Sequence, residues 1–204
     1  MTLILVLDTC DARCAAGVAR DGAILVERAE AMRRGHAERL FALISEALAA
    51  CGVAPADLAG VAVATGPGGF TGGRIGVAAA RGLALGVGRP VVGVDWFAAM
   101  AFGVPGRVRV ALPGGGATWA QEFESGRALG PPARWPPGLP GDAAEADVAA
   151  TIDAAGRDAA GLAPLALAAT AALKQGGARP RPLYLRPPDA LAPAPSAAAT
   201  VAPR

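Results

Sequence analysis

The sequence predicts an α/β fold whose first half runs β-β-β-α-β-α-β. Three observations carry this. Residues 3–7 are an unbroken apolar run, which fits a strand buried on both faces. Asp21-Gly22 stands between strand-like segments 15–20 and 23–28, and that dipeptide suits a type I′ hairpin turn. Beyond the hairpin, short apolar strands at 61–64 and 90–94 alternate with helix-length segments, as parallel strands joined by helical crossovers do.

The elements follow in order. Segment 37–51 carries Leu40, Phe41, Leu43, Ile44, Ala47 and Leu48 at helical spacing and stops at Gly52. A glycine-rich turn at 66–69 follows the strand at 61–64, and a second helix is expected from about 71 to 87. Composition shifts near residue 103, where Gly103-Val-Pro-Gly106 signals a turn. The expected organisation is therefore a first subdomain over 1–102 and a smaller second one over 103–186. The Pro/Ala-rich tail at 187–204 has little to bury and is expected to be disordered. Residues 159–173 form the longest helix-like apolar stretch, broken by Pro164. They fall short of the ~20 residues that span a bilayer.

Composition excludes much familiar chemistry. The chain has 204 residues, 53% hydrophobic and 18% charged, with 19 basic against 17 acidic groups. A net charge of +2 does not by itself mark a nucleic-acid or membrane-surface protein. One histidine, His36, rules out sites needing a histidine pair, and the single lysine, Lys174, follows no glycine-rich turn. Cys10, Cys14 and Cys51 form no CxxC pair, so neither a disulfide framework nor a zinc knuckle is implied. The apolar run at 3–7 ends at Asp8 and is not a secretory leader. A cytoplasmic protein with no metal and no cofactor is expected.

The richest motif is Ala64-Thr-Gly-Pro-Gly-Gly-Phe-Thr-Gly-Gly-Arg-Ile-Gly76. Gly68 and Gly73 have phosphate-loop spacing, but Arg74 and Ile75 stand where Lys and Ser/Thr would hold phosphate and Mg²⁺. A structural role suits the glycines better. Gly72, Gly76, Ala80 and Ala84 fall on one i, i+4 ridge, with Gly73 and Val77 beside it. Such a ridge permits close packing, either on the protein's own sheet or on a partner, and spacing leaves the two equal. Asp8, at the end of the first strand, occupies the place where sugar kinases and actin-like ATPases start a phosphate loop, Asp-x-Gly-Ser/Thr. Here the loop is Asp8, Thr9, Cys10 and Asp11, which puts a thiol at the glycine position and a carboxylate at the hydroxyl position. A carboxylate there repels polyphosphate, so the loop is degenerate. His36 fits a helix cap or a polar contact better than a lone general base. Arg179, Arg181 and Arg186 form a small basic cluster that fits a solvated face or a brush against RNA phosphate.

Taken in order, several motifs resemble the bacterial TsaB family. They are Leu5-Val-Leu-Asp8-Thr9, Arg34-Gly-His-Ala-Glu-Arg-Leu40, Thr65-Gly-Pro-Gly-Gly-Phe-Thr-Gly-Gly-Arg-Ile-Gly76, Ala80-Arg-Gly-Leu83 and Pro90-Val-Val-Gly-Val94. The closing Pro182-Leu-Tyr-Leu-Arg-Pro-Pro-Asp-Ala190 also looks like that family. The match is dense over 3–100 and thin from 107 to 181. It implies an actin/sugar-kinase-like (ASKHA, ribonuclease-H-like) duplicated β-β-β-α-β-α fold with a reduced second subdomain. It also implies a non-catalytic subunit that dimerises with a TsaD-like catalytic subunit in threonylcarbamoyl-adenosine modification of tRNA. A TsaE-like ATPase would join through that complex, tRNA contact would be indirect, and the isolated chain would pair with itself. The implied interface is Arg34, His36, Glu38, Leu40, Phe41 and Ile44 on one helix. On the other it is Phe70, Thr71, Gly72, Arg74, Gly76, Val77, Ala80 and Arg81. The resemblance tilts the Gly72/Gly76/Ala80 ridge toward that interface. The sequence departs from the family at Val110-Ala-Leu112, where Pro113-Gly114-Gly115 replaces an expected Asp-Ala-Arg. The alternative is an independent small ATPase or kinase of the same fold. A peptidase ranks far behind, since neither a metal set nor an activated nucleophile is present.

Overall fold

The computed structural model describes residues 1–114, 116–135, 150–153, 157–158, 160–177 and 179–185. The expected tail at 187–204, Arg186 and the Pro-rich turns at 136–141 lie outside these.

The first sheet is built on β1 (Leu3–Asp11). It pairs antiparallel with β2 (Arg13–Arg20), which pairs antiparallel with β3 (Ala23–Ala31). On its other edge β1 runs parallel to β4 (Gly60–Ala64), and β4 runs parallel to β5 (Val91–Val94). The order is β3-β2-β1-β4-β5. Asp21 (φ 51°) and Gly22 (φ 92°) both take the positive φ that a type I′ turn requires. The first strand is longer than the apolar run that announces it. It continues past Asp8 through a bulge between Asp8 and Asp11, where the Cys10 N–H donates to Asp8 Oδ1 at 2.9 Å.

β1 is apolar throughout because both faces of the sheet are covered. Leu5, Leu7, Val61 and Val63 face α1 (His36–Cys51) and α2 (Phe70–Val87), where they meet Leu40, Leu43, Ala47, Val77 and Ala84. Ile4, Val6, Ala62 and Val92 face the opposite way. They pack with Trp96 and Phe97 of α3 (Trp96–Ala101) and with Leu165 and Ala169 of α4 (Ala163–Lys174). Gly52 ends α1 in the left-handed conformation (φ 63°), as its position after the apolar pattern predicts.

The second sheet comprises β6 (Arg107–Gly114), β7 (Ala117–Glu124), β8 (Arg127–Ala128), β9 (Ala133–Arg134) and β10 (Ala150–Ile152). Its order is β10-β6-β7-β8, with β9 also on β7. Val108, Val110, Leu112 and Phe123 join the core that holds α3 and α4, so the two sheets share one apolar interior. Pro164 does not break a helix, as the composition suggested; it stands in the first turn of α4, where its missing N–H costs no helical bond. Residues 179–185 then cross the ends of β4 and β5, with Leu183 N–H donating to Thr65 O at 2.7 Å. Among the described residues, no helix is long and apolar enough to cross a membrane.

Candidate functional site

The end of β1 and the glycine-rich turn meet backbone to backbone. Gly69 N–H donates to the Cys10 carbonyl, and Thr9 Oγ1 donates to Gly72 O at 2.7 Å. A Cβ on Gly68 would fall 1.6 Å from Cys10 O, and one on Gly72 would fall 2.0 Å from Thr9 O. The glycines of the phosphate-loop-like stretch therefore serve contact with the degenerate loop itself. The ridge resolves in the same sense. A Cβ on Gly76 would lie 2.5 Å from Thr9 Oγ1 and 3.3 Å from Val63 Cγ2, while Ala80 and Ala84 are buried on the sheet.

This corrects half of the expected interface. Gly76, Val77 and Ala80 on α2, and Leu40 and Ile44 on α1, are buried in the protein's own core, and half-buried Gly72 packs on the Thr9 carbonyl. His36 is also buried, at 7% exposure; its Nε2 lies 3.1 Å from Asp11 O and ties the start of α1 to the β1–β2 turn. Of the expected residues, Arg34, Glu38, Phe41, Phe70, Thr71, Arg74 and Arg81 are exposed. The outer side of α2 has its own small-residue ridge, Ala78, Gly82 and Gly86, beside Leu85, which is 84% exposed. Sequence reasoning passed over that ridge. Its signal was an apolar leucine lying off the helix's apolar stripe. α1 and α2 cover the same face of the sheet, and each turns an outer side away from it. These outer sides carry Phe41 and Ala42 on α1 and Leu85 and Ala78 on α2.

A cleft of about 810 Å³ opens between the N-termini of α1 and α2, lined among others by Thr9, Asp11, Arg33, Arg34, His36 and Thr71. Gly35 and Gly69 start the two helices without a side-chain cap. The carboxylate expected to repel phosphate is not bare. Asp11 Oδ2 accepts from Arg157 Nη2 at 2.8 Å, and although burial opposes it, this bond, the Ala12 N–H and nearby Arg33 hold the carboxyl below its usual range. Asp8 behaves oppositely: burial pushes its carboxyl up, against the Cys10 N–H and the charges of Arg13 and Arg157. Burial also pushes the Cys14 thiol to about 11, with the charges of Asp8 and Glu30 adding to it, and raises Cys10 well above its normal value. Neither thiol is an activated nucleophile. Among the described residues, no group of three or more His, Cys, Asp and Glu is placed to hold a metal ion.

An antiparallel three-strand meander continued by parallel crossover strands, facing a second smaller sheet across a shared core, defines an α/β protein of the actin/sugar-kinase-like class. Residues 26–113 match the family model described as "TsaD: tRNA N6-adenosine threonylcarbamoyltransferase". The chain is 36% identical over 100 residues to the Escherichia coli tRNA threonylcarbamoyladenosine biosynthesis protein TsaB, covering 49% of this chain and 43% of that one. It is 33% identical over 92 residues to the Bacillus subtilis protein of the same name, covering 45% and 40%. These matches span less than half the length of either relative. The solved structure of YeaZ from Pseudomonas aeruginosa superposes with a TM-score of 0.68 at 26% identity, over 91% of this chain and all of that one. The chain is thus similar to TsaB proteins in sequence over its first half and to YeaZ in fold over most of its length.

Proposed function

We propose that this chain is an accessory subunit in tRNA threonylcarbamoyladenosine biosynthesis. In this reading it carries no transferase or ATPase site of its own and pairs with a TsaD-type catalytic subunit through the outer sides of α1 and α2. The observation that carries the proposal is the exposed outer side of each helix, where Phe41 (51% exposed) adjoins Ala42 and Leu85 (84% exposed) adjoins Gly82 and Gly86 along the chain. Exposed large apolar groups over small neighbours suit a helix-on-helix contact. The degenerate loop supports the non-catalytic half: the Cys10 carbonyl and the Gly69 N–H satisfy each other, and Asp11 is spent on Arg157. A TsaE-type ATPase joins through the catalytic subunit, and the same surface pairs two copies when the chain is alone.

The test is co-expression with the TsaD-type subunit of the same organism. A co-eluting complex that Phe41→Arg or Leu85→Arg dissolves is the expected result; clean separation of the wild-type chains at micromolar concentration overturns the reading. Heat of Mg-ATP binding to the isolated chain would favour the ATPase alternative instead.

A further inference from the structure

The segment 179–185 returns to the first turns of α2 and sets Tyr184 against two α2 side chains. Arg74 lies over the Phe70 ring, with its guanidinium carbon 3.6 Å from the ring centroid and 5.6 Å from that of Tyr184. The two ring centroids are 5.4 Å apart, and Arg74 Nε donates to Tyr184 Oη at 2.7 Å. The segment is itself pinned: Leu183 N–H bonds Thr65 O, and Arg81 donates to the Pro180 carbonyl. Phe70 and Tyr184 remain 44% and 43% exposed, so the stack faces outward.

The ring contacts and the Nε bond hold the guanidinium in place, and neither Nη makes a hydrogen bond to a described residue. An arginine held so presents a two-pronged donor that matches a carboxylate, and much of its rotamer freedom is lost before binding. No acidic side chain among the described residues pairs with Arg74. α2 carries two arginines and no acidic residue, so its outer side complements an acidic surface.

We propose that Arg74, clamped by Phe70 and Tyr184, is a prepared carboxylate-binding fork that receives an Asp or Glu side chain of the TsaD-type partner. Tyr184 is its positioning residue, contributed by the C-terminal segment. This rests on the helix surface being the partner face, and it extends that face beyond α1 and α2. RNA phosphate is the less favoured occupant, since Arg81, the other arginine of α2, is turned to the Pro180 carbonyl and adds no second free cation on the helix beside Arg74.

The test titrates the full-length chain against the TsaD-type subunit of the same organism by calorimetry, with a thermal melt of each variant. Arg74→Ala is expected to weaken binding by about ten- to a hundredfold, and Tyr184→Phe, which keeps the ring and loses only the hydroxyl, by about three- to tenfold. Arg74→Lys keeps the charge but not the fork and is expected to restore little of the loss. Added salt should weaken wild type more steeply than Arg74→Ala. Wild-type affinity in Arg74→Lys and Tyr184→Phe overturns the fork while leaving the helix surface as the partner face. An Arg74→Ala chain that binds the partner normally but lowers the complex's hold on tRNA overturns it in favour of phosphate. A wild-type chain that does not associate at all overturns the functional reading, and the fork with it.

Discussion

The inner and outer sides of α2 are written in nearly the same residues and have opposite surroundings. On the inner side Gly72, Gly76, Ala80 and Ala84 recur every fourth position; on the outer side Ala78, Gly82 and Gly86 do the same. A Cβ added to Gly72 would collide with the Thr9 carbonyl at 2.0 Å, whereas one on Gly82 or Gly86 would meet nothing within 4 Å. The inner glycines are there because backbone passes against them. The outer ones have no such reason within the chain, and each costs about 0.5–1 kcal/mol relative to alanine. A small-residue ridge on its own therefore says that something approaches closely, not what.

The comparison can be broken most sharply at Gly72. Gly72→Ala should lower the stability of the chain by about 3 kcal/mol, because the obstacle is a backbone carbonyl that no side-chain rotation relieves. Urea denaturation measures it, and a loss under 1 kcal/mol would mean that the end of β1 can move aside. Gly76→Leu should likewise damage the fold itself, not merely prevent pairing, since Thr9 and Val63 fill that space.

On the outer side the effect should appear in binding and not in folding. Leu85→Arg should weaken association with the TsaD-type subunit by at least about tenfold while its urea midpoint stays within about 0.5 kcal/mol of wild type. A matched drop in stability would put Leu85 among the core residues instead. Gly82→Ala reverses the sign seen at Gly72, with a gain of about 0.5–1 kcal/mol, since its φ is not left-handed and the added methyl meets open space. No gain at Gly82 would remove the contrast between the two sides.

The smallest effect concerns the loop beneath the inner ridge. Burial raises the Asp8 carboxyl, so the folded chain holds this proton more tightly than the unfolded chain does. The stability Asp8 contributes is present at low pH and is lost as pH rises through its folded value. Asp8→Asn keeps an oxygen for the Cys10 N–H and should flatten that part of the pH profile, read as denaturation midpoints from acid to neutral pH. An unchanged slope would assign that part of the pH dependence to another carboxyl raised by burial, such as Asp95; Glu122, held low by Arg107 and Arg109, acts with the opposite sign.

Local signals carried a good part of the fold. The Asp21-Gly22 turn, the Gly52 helix end and the strands at 61–64 and 90–94 each depend on a few neighbouring residues, and the structure holds them within two residues of their expected bounds. The site was less legible. Leu40, Ile44, Val77 and Ala80 sit at positions where helical periodicity marks an apolar stripe, and the stripe belongs to the core. Assigning it to a partner counted the same burial twice. Tyr184 could not be placed at all, because its contact with Arg74 joins residues 110 positions apart.

What the sequence by itself determined is therefore the local conformation and the likeness to TsaB proteins. Turn chemistry, helix ends and a specific ordered set of motifs are short-range properties, written where they act. The tertiary structure alone decided which side of α2 is free, that Asp11 is neutralised by Arg157, and that the C-terminal segment supplies a tyrosine to the outer surface. Each of these depends on chain segments far apart in sequence, and only packing decides which of them meet.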